Sequence, residues 1–163
     1  MTEASAFIAL FLSAFLAATL VPAQSEIGLG YLVIITDYSM VLLITVASLG
    51  NTAGAKINWS IGWGIARSVV ISKKMRPSTR YWTIINWYKK YGQWTLLLSW
   101  APFIGDPITV IAGIFKVPLK TFLLLVALAK TSRYILIAIF AEKFTLGLQT
   151  GAAIVQWLTF GHF

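Results

Sequence analysis

The chain is 163 residues long, 58% hydrophobic and only 11% charged, where a soluble domain carries roughly 25% charged residues. With a mean hydropathy of +0.81, this excludes a soluble globular protein and leaves a polytopic helical membrane protein built as a single membrane domain. Cysteine is absent, which excludes disulfides, thiol catalysis and thiolate metal sites; the net charge of +8 lies beside apolar spans, where anionic lipid of the inner leaflet fits better than nucleic acid.

Residues 6–22 form the first apolar run. Val21-Pro22-Ala23 has the small residues of a signal cleavage site, but Met1-Thr2-Glu3 supplies no basic n-region, so the run is expected to be retained. Pro22 interrupts the helix, because proline lacks the N–H and clashes with the preceding turn, and Glu26 follows four residues later. Residues 26–36 make a second run, about 16 Å long at 1.5 Å per residue and too short to cross a membrane. Beyond Asp37, residues 39–66 read as one long helix, sufficient to cross with tilt. Its middle carries Asn51 and Thr52 in a polar cluster, Lys56, and a Gly50-x-x-x-Gly54 pair that permits close helix packing. Asn51 and Asn58 share a face and suit hydrogen bonds between helices.

A basic aromatic linker occupies residues 67–92, and within it Tyr81 to Tyr91 reads as an interfacial amphipathic helix. Short runs at 93–101 and 107–115 then flank a second break, Pro102-Phe103-Ile104-Gly105-Asp106-Pro107, again with an acid four residues after a proline. A Val117-Pro118 turn leads into an apolar helix over 119–141 that carries Lys130 and Arg133 on nearly one face. Residues 144–160 form a weaker C-terminal helix, and His162, the lone histidine, lies near the end of the sequence with no metal site expected.

Charge placement orients these pieces. The basic linker and the Lys116 and Lys120 pair are both cytoplasmic by the positive-inside rule, so the segment between them enters and leaves on one face as a re-entrant hairpin. Glu3 and Asp37 then flank a first hairpin that opens the other way. A shift of 80 positions places Pro22 on Pro102 and Glu26 on Asp106. The expected fold is all-α: an inverted repeat of two re-entrant helical hairpins, each followed by a transmembrane helix, plus a C-terminal helix. The first repeat covers 5–66 and the second 93–141. The expected location is a cell membrane of prokaryotic cytoplasmic type, crossed several times.

Five ionisable residues fall at membrane depth: Glu26, Lys56, Asp106, Lys130 and Arg133. Each costs about 2.5–3.5 kcal/mol at a helix centre on insertion scales, so pairing or use is expected. Three cations against two anions leave one positive charge to suit an anionic headgroup, provided that all five converge. A plainer role exists for the acids. Asp106 before Pro107 suits a helix N-cap, and Ser25 could cap the helix that Glu26 opens. Capping is compatible with an anion site, because helix N-termini attract anions.

Three strings carry a family resemblance: Phe15-Leu16-Ala17-Ala18-Thr19-Leu20-Val21-Pro22 through Ser25-Glu26, Ala47-Ser48-Leu49-Gly50-Asn51-Thr52-Ala53-Gly54, and Trp100-Ala101-Pro102-Phe103-Ile104-Gly105-Asp106-Pro107. They resemble the DedA (SNARE-associated-like, VTT-domain) membrane family. The last string, with Lys130-x-x-Arg133-Tyr134, resembles its short YqaA-like branch. The resemblance covers roughly residues 5–140. It implies opposed re-entrant hairpins and a transporter-like role, with members linked to flipping of undecaprenyl phosphate or phospholipids and to proton-motive force. It also matches Glu26 and Asp106 to hairpin acids and Arg133 to a basic position in the following helix. Many members carry arginines around the second-hairpin proline, where this chain has Trp100 and Gly105-Asp106.

The expected function is proton-coupled translocation of an anionic lipid such as a polyprenyl phosphate or phospholipid. Glu26 and Asp106 would carry or gate protons, and Arg133 with Lys130 or Lys56 would hold the anion. Pro22, Pro102, Gly105 and Pro107 would shape the hairpin tips, and Asn51 and Thr52 a polar helix face. The rival expectation is a non-transporting scaffold or assembly factor for envelope or lipid homeostasis. An enzyme acting on lipid phosphates fits poorly, because no histidine or cysteine nucleophile lies in an apolar run and no acid cluster suits Mg²⁺. No cofactor is expected.

Overall fold

A computed structural model describes residues 2–18, 24–72, 88, 90–101 and 104–160. The breaks at Pro22 and Pro102, the linker residues 73–87 with most of the amphipathic segment, and His162 lie outside the described residues. The fold is all-helical: α1 (Glu3–Ala17), α2 (Gln24–Ile35), α3 (Met40–Ser72), a 3₁₀ helix (Gly92–Trp100), α4 (Gly105–Ile114) and α5 (Leu119–Phe160).

Two of these helices, over Met40–Ser68 and Leu119–Gly147, are long and apolar enough to cross a membrane. The apolar helices α1, α2 and α4 have 15, 12 and 10 residues, about 15–22 Å at 1.5 Å per residue against a hydrocarbon core of about 30 Å. One correction concerns the C-terminal part. The helix expected to end at 141 and the separate helix expected over 144–160 are one continuous α5 of 42 residues. The hydropathy dips there, but Glu142 and Lys143 are good helix formers and no proline intervenes, so the backbone has no reason to stop.

Backbone chemistry ends α4 sharply. Val117 donates to the Ala112 carbonyl at 3.0 Å and Lys116 to that of Gly113 at 2.9 Å, with Lys116 in the left-handed region at φ 56°. This paired closure is a Schellman motif, and Pro118 right after it prevents the helix from resuming. The chain therefore turns at once into α5.

The helix α3 is the spine. It packs on α1, α4 and α5, while α5 packs on the 3₁₀ helix and α2. Small residues set two close approaches to α3. A Cβ at Gly54 would fall 2.7 Å from Ala18 Cβ, and one at Gly50 3.2 Å from Ala14 Cβ, so the glycine pair draws α1 against α3. Further along, a Cβ at Gly62 would overlap the Val110 carbonyl of α4 and one at Gly113 the Trp59 carbonyl of α3. Without lipid-tail expulsion to drive association, such backbone contact is what holds membrane helices together.

Two apolar clusters result. One joins Ala55, Leu96, Ala112, Val117, Phe122 and Val126, and the other Leu10, Ala14, Leu29, Leu43, Ala47 and Tyr134. Along α3 and α5 these clusters run in opposite order, so the two long helices are antiparallel. Buried polar side chains, Ser48, Asn51 and Lys130 among them, lie on the stretches between the clusters.

Gly62→Ala is expected to destabilise the protein by about 1–3 kcal/mol through overpacking. Gly64→Ala, whose Cβ meets nothing within 4 Å, is expected to be neutral or to stabilise by up to about 1 kcal/mol through helix propensity. Melting curves of the two variants in one detergent check the opposite signs.

Candidate functional site

The site is assembled on one face of α5. Lys130, Arg133 and Tyr134 stand three and four residues apart, so they project side by side. Lys130 is 3% and Arg133 15% exposed. Cations so deep in apolar helices need partners, and each finds one on a short helix. Lys130 Nζ donates to Asp106 Oδ1 at 3.0 Å, and Arg133 Nη2 donates to Glu26 Oε1.

Both carboxylates sit in the first turn of their helices, Glu26 in α2 and Asp106 in α4. Two helix N-termini, one from each half of the chain, therefore meet α5 within a single turn. The free N–H groups there add a positive partial charge that favours each carboxylate. At α4 the approach is close: a Cβ at Gly105 would overlap the Ser99 carbonyl, and Gly105 N donates to the Ala101 carbonyl at 3.0 Å. Only glycine lets the 3₁₀ helix end and α4 begin in so little space.

Neither helix start uses the cap expected from the sequence. The N-cap of α4 is Ile104, with no side-chain cap bond; Asp106 lies inside the first turn and is turned to Lys130 instead. Pro107 is consequently the third helical residue rather than the first. Ser25 shares a hydrogen bond of 2.8 Å with the Tyr134 hydroxyl. A buried cation and a buried phenol outcompete peptide N–H groups for these side chains.

Lys56 does not join the group. It is exposed, whereas Asn51 and Asn58 on the same helix are buried. Five residues on a 3.6-residue turn place Lys56 about 140° round α3 from Asn51. The surplus positive charge expected for the site is therefore not there: two cations face two anions, and the cluster is balanced.

Asn51 and Asn58 bind neighbouring helices. Asn51 Nδ2 donates to the Tyr134 hydroxyl at 2.8 Å and Asn58 Nδ2 to the Ala18 carbonyl at 2.7 Å. Tyr134, 1% exposed, thus ties α2, α3 and α5 together. It was not singled out as a site residue from the sequence, although its place beside Arg133 and four residues after Lys130 puts it on the charged face.

Arg133 also borders a cleft of about 330 Å³ between the 3₁₀ helix and α5, lined by Leu97, Trp100, Leu128, Ala129, Ser132 and Leu136. The Ser132 hydroxyl is occupied by the Leu128 carbonyl. The arginine is the single charge on an otherwise apolar wall, an arrangement suited to an amphiphile with an anionic end. A second groove of about 230 Å³ between α1 and α2, lined by Ala6, Leu10, Ser13, Gly28 and Tyr31 among others, carries no charge. Among the described residues, no three or more His, Asp or Glu side chains gather as a metal site would require.

Short apolar helices whose acidic first turns dock on cations of a helix long and apolar enough to cross a membrane give an all-helical protein with a polar centre. The chain belongs to the VTT-domain (DedA) family, whose domain matches residues 21–143. It is 33% identical to the inner membrane protein YqaA of Escherichia coli K12 over 138 residues, 85% of this chain and 92% of that one. Identity and coverage are the same for YqaA of Shigella flexneri. A Haemophilus influenzae protein is 31% identical over 88% of this chain and 92% of its own. No solved structure matches the chain. The family region includes both acids and both cations.

Removing one member of a buried ion pair costs about 3–5 kcal/mol, because its partner stays charged without compensation. Arg133→Met is expected to approach that cost, and adding Glu26→Gln to recover a substantial part of it. A double-mutant cycle of melting temperatures checks the coupling.

Proposed function

We propose that this protein is a proton-coupled translocator of an anionic lipid, a polyprenyl phosphate or a phospholipid. The observation that carries the reading is that two helix-terminal carboxylates occupy two cations one turn apart, and that one of these cations, Arg133, borders an apolar cleft. In this reading α1 with α2, and the 3₁₀ helix with α4, are re-entrant hairpins opening to opposite faces, each followed by a spanning helix. The chain is an inverted repeat in a cytoplasmic-type membrane with the basic linker on the cytoplasmic side. The shortness of α1, α2 and α4 supports this arrangement.

The chemistry is competition for one guanidinium. A carboxylate and a phosphate both match its planar fork. Protonation of Glu26 removes its charge and releases Arg133 to a headgroup phosphate, while the lipid chain lies along Leu97, Trp100, Leu128 and Leu136. Asp106 stands in the same relation to Lys130. Each negative charge that enters is matched by a proton on a carboxylate, so the centre stays balanced when loaded. Loss of the proton restores the ion pair and expels the headgroup. Proton relays in membrane proteins use buried acids in this way. No bond of the lipid is broken, so the protein is read as a carrier and not an enzyme.

The balanced pairs also suit a scaffold, in which they only pin α2 and α4 to α5. Proteoliposomes separate the two readings. With a transporter, a fluorescent phospholipid or a polyprenyl phosphate moves between leaflets faster than in empty vesicles and responds to an imposed pH gradient. Glu26→Gln, Asp106→Asn and Arg133→Ala, each confirmed folded by its melting curve, lower that rate at least tenfold, equivalent to about 1.4 kcal/mol of barrier. Unchanged lipid movement in all three proteins refutes the transport reading.

A further inference from the structure

The helix α3 carries a group of buried oxygens that the ion pairs do not use. Hydroxyls in apolar helices ordinarily bond back to the carbonyl four residues earlier. Thr36, Thr45, Ser60, Ser68, Ser132 and Thr145 all do so here. Ser48 Oγ and Thr52 Oγ1 do not, and both atoms are buried without a hydrogen-bond partner among the described residues. Asn51 Oδ1 is in the same condition, although its amide N–H bonds to Tyr134. Ser48 and Asn51 are 7% and 6% exposed.

Positions 48, 51 and 52 stand three and four residues apart, so the three side chains share one face of α3. That face is turned to α5, because Asn51 reaches Tyr134. Each buried oxygen left unpaired carries the full penalty of lost hydration, and three neighbours in one place call for a common ligand. Two hydroxyls can donate and accept, and the amide oxygen can accept. A cation would add a charge with nothing to offset it, since the four nearby charges already balance. A small neutral molecule that both donates and accepts satisfies all three, and water makes about three such bonds when buried.

We infer that Ser48, Asn51 and Thr52 form a buried hydration site in the middle of α3. Through Asn51 it is continuous with Tyr134, and through Tyr134 with Ser25, the residue before Glu26. The site gives the protein a polar thread from the centre of α3 to the start of α2. Its use by protons rests on the transport reading; the presence of water does not.

Radiolytic hydroxyl-radical footprinting of the full chain in nanodiscs tests this, because a buried aromatic ring is oxidised quickly only where water adjoins it. Tyr134 and Phe122 are 1% and 0% exposed, and Phe122 lies in the apolar cluster with Leu125 and Val126. After correction for intrinsic reactivity, Tyr134 is expected to be oxidised several-fold faster than Phe122. The double substitution Ser48→Ala with Thr52→Val is expected to lower the Tyr134 rate toward that of Phe122 and to leave exposed Tyr31 unchanged. Equal slow oxidation of Tyr134 and Phe122 in the unmodified protein overturns the inference, as does a Tyr134 rate indifferent to the double substitution. A melting temperature raised by Na⁺ or K⁺ over choline, and lost in the double variant, overturns it in favour of a cation. No substrate or pH gradient enters the measurement, so a failure of transport leaves its outcome untouched.

Discussion

A charge drawn in among packed apolar helices needs its opposite beside it, and the Arg133–Glu26 and Lys130–Asp106 pairs are where this chain meets that need. One helix supplies both cations and two different helices supply the anions. The consequence is architectural as well as chemical. The first turns of α2 and α4 must arrive at the same turn of α5, from opposite halves of the sequence, or a charge is left unpaired in an apolar medium. The pairs thereby fix the register of three helices. They also leave the centre of the protein electrically neutral and rich in exchangeable hydrogen bonds.

The apolar parts are arranged to make that convergence possible. The helix α3 accepts α1 through Gly50 and Gly54 and α4 through Gly62 and Gly113, contacts made by backbone rather than by bulky side chains. Each apolar cluster draws mainly on one half, with Ala55 and Tyr134 crossing to the other, and polar side chains are held between them. Tyr134 belongs to both worlds: its ring packs with Leu29 and Leu43, and its hydroxyl shares a hydrogen bond with Ser25 and accepts one from Asn51.

Much of the scaffold was legible in the sequence because it depends on local chemistry. Run lengths distinguished α3 and α5 from the short helices, Pro118 marked the turn at Val117-Pro118, and the Gly50–Gly54 spacing foretold close packing. The candidate site was legible only as a set of charges. Which charge meets which is decided by helices far apart in the chain, and no spacing along α2 or α4 could show that Glu26 and Asp106 would face cations rather than cap their own helices. Lys56 is different: its angle on α3 relative to Asn51 and Asn58 was available from the numbering alone and pointed it outward. The continuity of α5 was obscured by reading a dip in hydropathy at 142–143 as a break, although helices end for want of backbone bonds and not for want of apolar side chains.

That continuity has a mechanical meaning. The helix α5 carries both cations and runs unbroken from Arg133 to Phe160, 27 residues and about 40 Å at 1.5 Å per residue. A rod of that length is a lever: a tilt of a few degrees at the ion pairs sweeps its far end through several ångströms. A rearrangement at the polar centre, too slight to notice there, is thereby broadcast to the edge of the protein, where a spectroscopic label or a neighbouring molecule can register it.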